Sequence, residues 1–176
     1  TKIGNENLKN LVNLGVDHID FTINPKVESK FMLKTFEVKG TPLIPMHLAI
    51  YHLPIKIALN FNIPLIIWGE NSAFEYGGDK KKSFGENVDS SWIKKYGAIG
   101  NSSVKDWVSC DLSEKDLNPY FLPDETDFHI KKIKSIFLGY FFKWDPKKTL
   151  EIAIRNGFKY KKTDRKIGYY EFADID

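Results

Sequence analysis

Ile63-Pro64-Leu65-Ile66-Ile67-Trp68-Gly69-Glu70-Asn71 is the stretch on which the fold turns. After Pro64 the residues are apolar without a polar break, and the run is too short for an independent helix. A short continuous apolar run suits a strand over 64–68 buried on both faces, as in a parallel sheet covered by helices. It ends abruptly in Gly69-Glu70-Asn71. Ligands of open α/β sheets bind outside the carboxyl ends of the strands. A carboxylate and an amide at that point fit either a binding edge or a plain polar turn, and spacing alone allows both.

Upstream, residues 42–62 form a long apolar segment that reads as helix, and Pro54 inside it is expected to kink or divide it. Before that, Lys26 to Lys39 carries an apolar stripe (Val27, Phe31, Phe36, Val38). Asn24-Pro25 suits its start and Gly40 its stop. Val16 to Ile23 alternates apolar and polar residues, a strand signal. Asn5 to Leu14 has helical spacing and ends at Gly15. Helices alternating with strands predict βαβ crossovers and a parallel sheet.

Downstream of Asn71 the character changes. Glu75-Tyr76-Gly77-Gly78-Asp79, three lysines and Ser83 to Ser91 make a long Gly-rich polar loop, and loops of that length in compact domains are commonly functional. Short helices are expected around Trp92–Tyr96 and Val104–Cys110. Ser113 and Asp116 stand at capping-box spacing, and Pro119 and Pro123 bracket an extended connector. Lys134 to Phe142 reads as a second apolar strand. Asp145 then suits an N-cap, Pro146 a first helical residue and Gly157 a stop, with Leu150, Ile152, Ala153 and Ile154 on the core side. Residues 160–176 yield no assignment.

The 176 residues fit one domain with a sizeable core, and 42% apolar content with many aromatics argues against disorder. A net charge of +3, from 26 basic and 23 acidic residues, gives no electrostatic case for nucleic acid. Cys110 is the single cysteine, which excludes an intrachain disulfide and a cysteine-based zinc site; a buried, inert thiol is expected there, and a reducing compartment fits. No apolar run reaches the ~18 residues of a membrane span. The opening Thr1-Lys2-Ile3 has neither an initiator Met nor a signal peptide, so the chain is expected to be a section of something longer.

Gly15-Val16-Asp17-His18-Ile19, Met46-His47 leading an apolar helix, and Ile63 to Asn71 with Glu75-Tyr76-Gly77 behind it together resemble a known family. Leu138-Gly139-Tyr140, Lys143-Trp144-Asp145 and Gly157-Phe158 extend the likeness over most of the chain. The chain resembles the N-acetyl sugar amidotransferases (WbpG and PseA type) of bacterial lipopolysaccharide O-antigen and flagellar-glycan pathways. The resemblance implies an α/β fold of the adenine-nucleotide α-hydrolase type (HUP, PP-loop), here partial, with a helical C-terminal portion. Residues 1–82 would be the nucleotide-binding-type half. Residues 83–176 would hold the insert loop, the short helices and a further strand-helix unit.

The same resemblance implies a cytoplasmic enzyme that activates the amide oxygen of an N-acetyl sugar with ATP and Mg2+. Ammonia from a HisH-like glutaminase, acting with a HisF-like protein, then attacks to give an acetamidino group. It assigns Glu70 and Asn71 to catalysis and Trp68 and Gly69 to the cofactor. His47, Glu75, Tyr76, Lys143, Trp144 and Asp145 are assigned to the sugar. A homodimer is possible in such a family; a membrane association and a protein-held structural metal are not expected. His47 could equally be structural, Asp145 a simple N-cap, and His52 packed or surface-facing.

One departure is large. The Ser-Gly-Gly-x-Asp-Ser turn whose backbone N–H groups cradle phosphates in the superfamily does not occur in these residues. Without it this segment by itself is expected to be inactive. Two other readings remain open: a different PP-loop ligase acting on tRNA, and a non-catalytic docking module for a glutaminase partner.

Overall fold

The computed structural model describes residues 2–69, 90–122, 133–143 and 145–160. In chain order they form α1 (Lys2–Val12), α2 (Pro25–Lys39), α3 (Ile44–Phe61), β1 (Leu65–Trp68) and α4 (Ser90–Tyr96). A 3-10 turn at Val104–Trp107, α5 (Glu114–Leu117), a second 3-10 turn at Asn118–Tyr120, β2 (Lys134–Phe137), α6 (Leu138–Phe141) and α7 (Pro146–Arg155) follow. The chain is a mixed α/β protein. It divides into two compact units, one spanning Thr22–Lys143 and the other joining the first 21 residues to the chain from Trp144 onward.

In the larger unit, β1 and β2 pair in parallel, with Leu65 opposite Lys134 and Trp68 opposite Phe137. The pairing begins one residue earlier, where the Lys134 N–H donates to the Pro64 carbonyl at 2.8 Å. Proline suits that place because only its carbonyl is needed there. Ile66 and Trp68 face inward, while Leu65 and Ile67 are 42% and 53% exposed. The expected strand is therefore present but is not buried on both faces. A continuous apolar run carries no alternation from which one-sided burial could be read.

α3 is the axis of this unit. Nine of its residues are buried, from Ile44 to Leu59, which follows from an apolar sequence with few polar interruptions. Pro54 does not divide it: the helix runs unbroken from Ile44 to Phe61. Asn62, at φ 53°, ends it in the left-handed conformation, its N–H donating to the Ala58 carbonyl, and the chain turns directly into β1. α2 packs on α3, and its Phe31 ring meets Tyr120 edge-on at 5.1 Å and Trp107 at 5.8 Å, on the two 3-10 turns. Asn24 caps α2 by accepting from the Lys26 N–H at 3.0 Å. Gly40, at φ 72°, closes it with a bond to the Phe36 carbonyl.

Three expectations are corrected. Val16 to Ile23 forms no strand and is exposed through Thr22; alternation without a pairing partner does not make a sheet. The second strand stops at Phe137, and Leu138–Phe141 form one helical turn closed by the Phe142 N–H on the Leu138 carbonyl. The stretch after Pro119 is not simply an extended connector, because Asn118–Tyr120 is a 3-10 turn with Tyr120 fully buried. The capping box of Ser113 and Asp116 stands as expected, with the Asp116 N–H donating to Ser113 Oγ at 3.2 Å and the Ser113 N–H to Asp116 Oδ2 at 3.1 Å.

The smaller unit holds α1 and α7. Asp145 caps α7, accepting from the Lys147 and Lys148 N–H groups. The two helices are tied by side-chain-to-backbone bonds: Asn7 exchanges two with Lys159, each 2.8 Å, and Asn10 donates to the Gly157 carbonyl at 2.6 Å. Gly157 is at φ 88°, and a Cβ there would stand 3.0 Å from the Asn10 amide, so both conformation and space favour glycine. No residue of either helix is buried. The expected core side of α7 is corrected accordingly: Ile152 and Ile154 are exposed.

Candidate functional site

Parallel pairing sends the carboxyl ends of β1 and β2 to the same edge, where Trp68-Gly69 and Phe137-Leu138 emerge. Trp68 is buried there, and its indole Nε1–H donates to Ser135 Oγ at 2.7 Å, tying the strands side chain to side chain. Its ring stands 5.3 Å from Tyr51 on α3. Tyr51 in turn meets Trp92 of α4 at 5.9 Å, and Trp92 meets Phe137 edge-on at 4.8 Å. Four aromatic rings from α3, α4, β1 and β2 thus form a rigid platform beneath the edge. Among the described residues, a Cβ placed on Gly69 would meet nothing within 4 Å.

His47 lies in the first turn of α3, one turn before Tyr51, and is buried. Its Nδ1 stands 2.9 Å from the Leu43 carbonyl, so Nδ1–H donates to its own helix start. That bond gives His47 a structural task at least, fastening a helix whose N-cap residue, Leu43, makes no side-chain cap bond. Lys143 is exposed and follows α6 rather than the strand end directly. Asp145 lies in the other unit, where its carboxylate is committed to the start of α7. Glu70, Asn71, Glu75, Tyr76 and Trp144 lie outside the described residues.

His52 is a buried residue that sequence reasoning left unassigned. It is 4% exposed, and its Nδ1–H donates to the Tyr120 carbonyl, joining α3 to the second 3-10 turn. Its Nε2 finds no hydrogen-bond partner among the described residues. Burial holds its pKa below the ordinary imidazole value; the bond to Tyr120 opposes that shift and nearby Lys56 adds to it. Lys56 itself donates to the Asn118 carbonyl, so two α3 side chains hold one short turn. Burial, with a smaller push from Glu28, raises the Tyr120 phenol to about 12. The signal available in sequence was the i, i+4 pair His52 and Lys56 on the helix, which marks one face but not what it meets. Cys110 is exposed, which corrects the expectation of a buried thiol.

The residues at hand do not by themselves fit a nucleotide triphosphate with its metal. Phosphate needs a cradle of convergent backbone N–H groups, and the described edge offers aromatic rings and a single open glycine. Among the described residues no group of three or more His, Cys, Asp or Glu side chains could hold a metal ion. No described helix is long and apolar enough to cross a membrane. A scan against models of protein families finds no match, and neither does a comparison with curated proteins.

Proposed function

We propose that this chain is part of an ATP-dependent amidotransferase that converts the N-acetyl group of a bacterial sugar to an acetamidino group. The observation that supports it best is the shared carboxyl edge of β1 and β2, because Gly69-Glu70-Asn71 follows β1 there. That is the edge at which open parallel sheets receive ligands. The resemblance to N-acetyl sugar amidotransferases supplies the reaction: the amide oxygen is activated, then ammonia adds to the carbon. In this reading Glu70 and Asn71 orient the acceptor amide, and the aromatic platform holds the strand end fixed beneath it. A partly preorganised wall of this kind costs no rearrangement at the moment of reaction. The phosphate-holding turn would be supplied from outside the 176 residues, and ammonia by a HisH-like and HisF-like pair.

The test is product analysis on protein that includes the Ser-Gly-Gly-x-Asp-Ser turn, given ATP, ammonia and a nucleotide-linked di-N-acetyl sugar. AMP and pyrophosphate should form in a sugar-dependent manner. Glu70→Gln should lower kcat by about 100-fold or more, as expected when a positioned carboxylate is lost from a reacting centre. Formation of ADP, or nucleotide cleavage indifferent to the sugar, would overturn the reading.

A further inference from the structure

A concave site lies beside the Tyr51–Trp92 contact of α3 and α4. Tyr51 and Trp92 face the strand platform, whereas Leu48 and His52 on α3 and Ile93 and Lys94 on α4 line a cavity of about 410 Å³. Phe121 and Lys105 also line it. That volume falls in the range of sites for small organic ligands. The wall is mainly apolar, and Lys94 and Lys105 are its cationic groups; no carboxylate stands among its described residues.

Ser102 and the Nδ1 side of His52 are already engaged, while His52 Nε2 has no partner among the described residues. Ser102 Oγ donates to the Ile99 carbonyl at 2.6 Å and accepts from the Trp107 indole at 3.1 Å. His52 Nδ1–H is committed to Tyr120. The lysines differ, since the one ion pair among the described residues is Lys159 with Glu6, in the smaller unit. Asp106 answers part of the Lys94 charge, and the Ser103 N–H at 2.7 Å keeps its carboxylate ionised. An apolar recess with two cations at its wall selects by charge and by shape together. Inorganic ions leave its apolar surface uncovered.

We propose that this cavity binds a small organic anion, a carboxylate or phosphomonoester on an apolar body, with the anionic group at Lys94 and Lys105 and the body against Leu48 and Phe121. The site goes beyond the amidotransferase reading and does not rest on it. The test uses the full 176-residue chain and follows its indole N–H signals by NMR. Benzoate, phenyl phosphate, inorganic phosphate and benzyl alcohol serve as probes. The Trp107 signal reports on the wall through Ser102, and the Trp68 signal reports on the sheet through Ser135.

Benzoate or phenyl phosphate should shift the Trp107 signal saturably, with a Kd of about 1 mM or tighter, and leave Trp68 in place. The tighter of the two names the anionic group. Benzyl alcohol and inorganic phosphate should bind about tenfold more weakly or worse, and so should either anion to the Lys94→Gln/Lys105→Gln double variant. Both lysines are exposed, so the double variant keeps the core, and an unmoved Trp68 signal verifies its fold. No saturable shift by about 10 mM, equal binding of the alcohol, or undiminished binding in the double variant would each overturn the proposal.

Discussion

His52 adds a buried imidazole to the acid response of the larger unit. With its Nδ1–H on Tyr120 and its Nε2 sealed from water, it folds as a neutral ring. Its pKa is lowered in the folded state, so between that value and the unfolded value near 6.5 the unfolded chain binds more protons. Its contribution is therefore fully present above about pH 6.5 and is lost as pH falls toward the folded value. Urea unfolding should show stability declining from pH 7 to 5 with a slope of at most about 1.4 kcal/mol per pH unit from this group. His52→Gln should flatten that slope even if it lowers stability at neutral pH. An unchanged slope would show that another group titrates. Asp106 and Asp116 act in a separate, more acidic window: hydrogen bonds from Ser103 and Ser113 depress their pKa values, so their contribution fades only as pH falls through the carboxylate range.

Among the elements, those whose signals are local were legible and those needing a distant partner were not. Asn24-Pro25 and Gly40 bound α2, and Ser113 with Asp116 boxes α5, because caps are satisfied within four residues of chain. The same holds for Asp145 on α7. Asp145→Ala removes the acceptor for two helix N–H groups and should destabilise the helix by about 1 kcal/mol. Hydrogen exchange should show faster exchange at the Lys147 and Lys148 amides with α3 unchanged. Val16 to Ile23 failed for the opposite reason, since a strand exists only where a neighbour accepts its ladder. The second strand was read too long because an apolar aromatic run continues without a break from Phe137 into the α6 turn. At the candidate site, the strand end at Trp68 was legible as an apolar run meeting glycine. The Tyr51–Trp92–Phe137 platform was not, because its members come from three elements far apart in sequence.

At the scale of the whole molecule, the buried residues among those described all lie in the larger unit. α3 contributes nine buried residues, while α1 and α7 contribute none and are joined by polar bonds at their ends. Few buried apolar contacts mean low local stability. Native-state hydrogen exchange should therefore find α1 and α7 opening at lower free energy than α3 and β1. Equal protection in all four would contradict that assignment.

The bond between His52 and Tyr120 spans 68 residues, and the one between Trp68 and Ser135 spans 67. Closing either loop from an open chain costs roughly 4 kcal/mol of chain entropy on a (3/2)RT ln n scale. The two loops overlap, and only residues 62–64 separate α3 from β1. Once the strands have paired, the path from His52 to Tyr120 shortens to about 31 residues through the Trp68–Ser135 link, which lowers the second closure by only about 0.7 kcal/mol on the same scale. The helix latch and the strand pair should accordingly be separable in folding, with mutations at Trp68 and at His52 slowing folding to different fractions of their effect on stability.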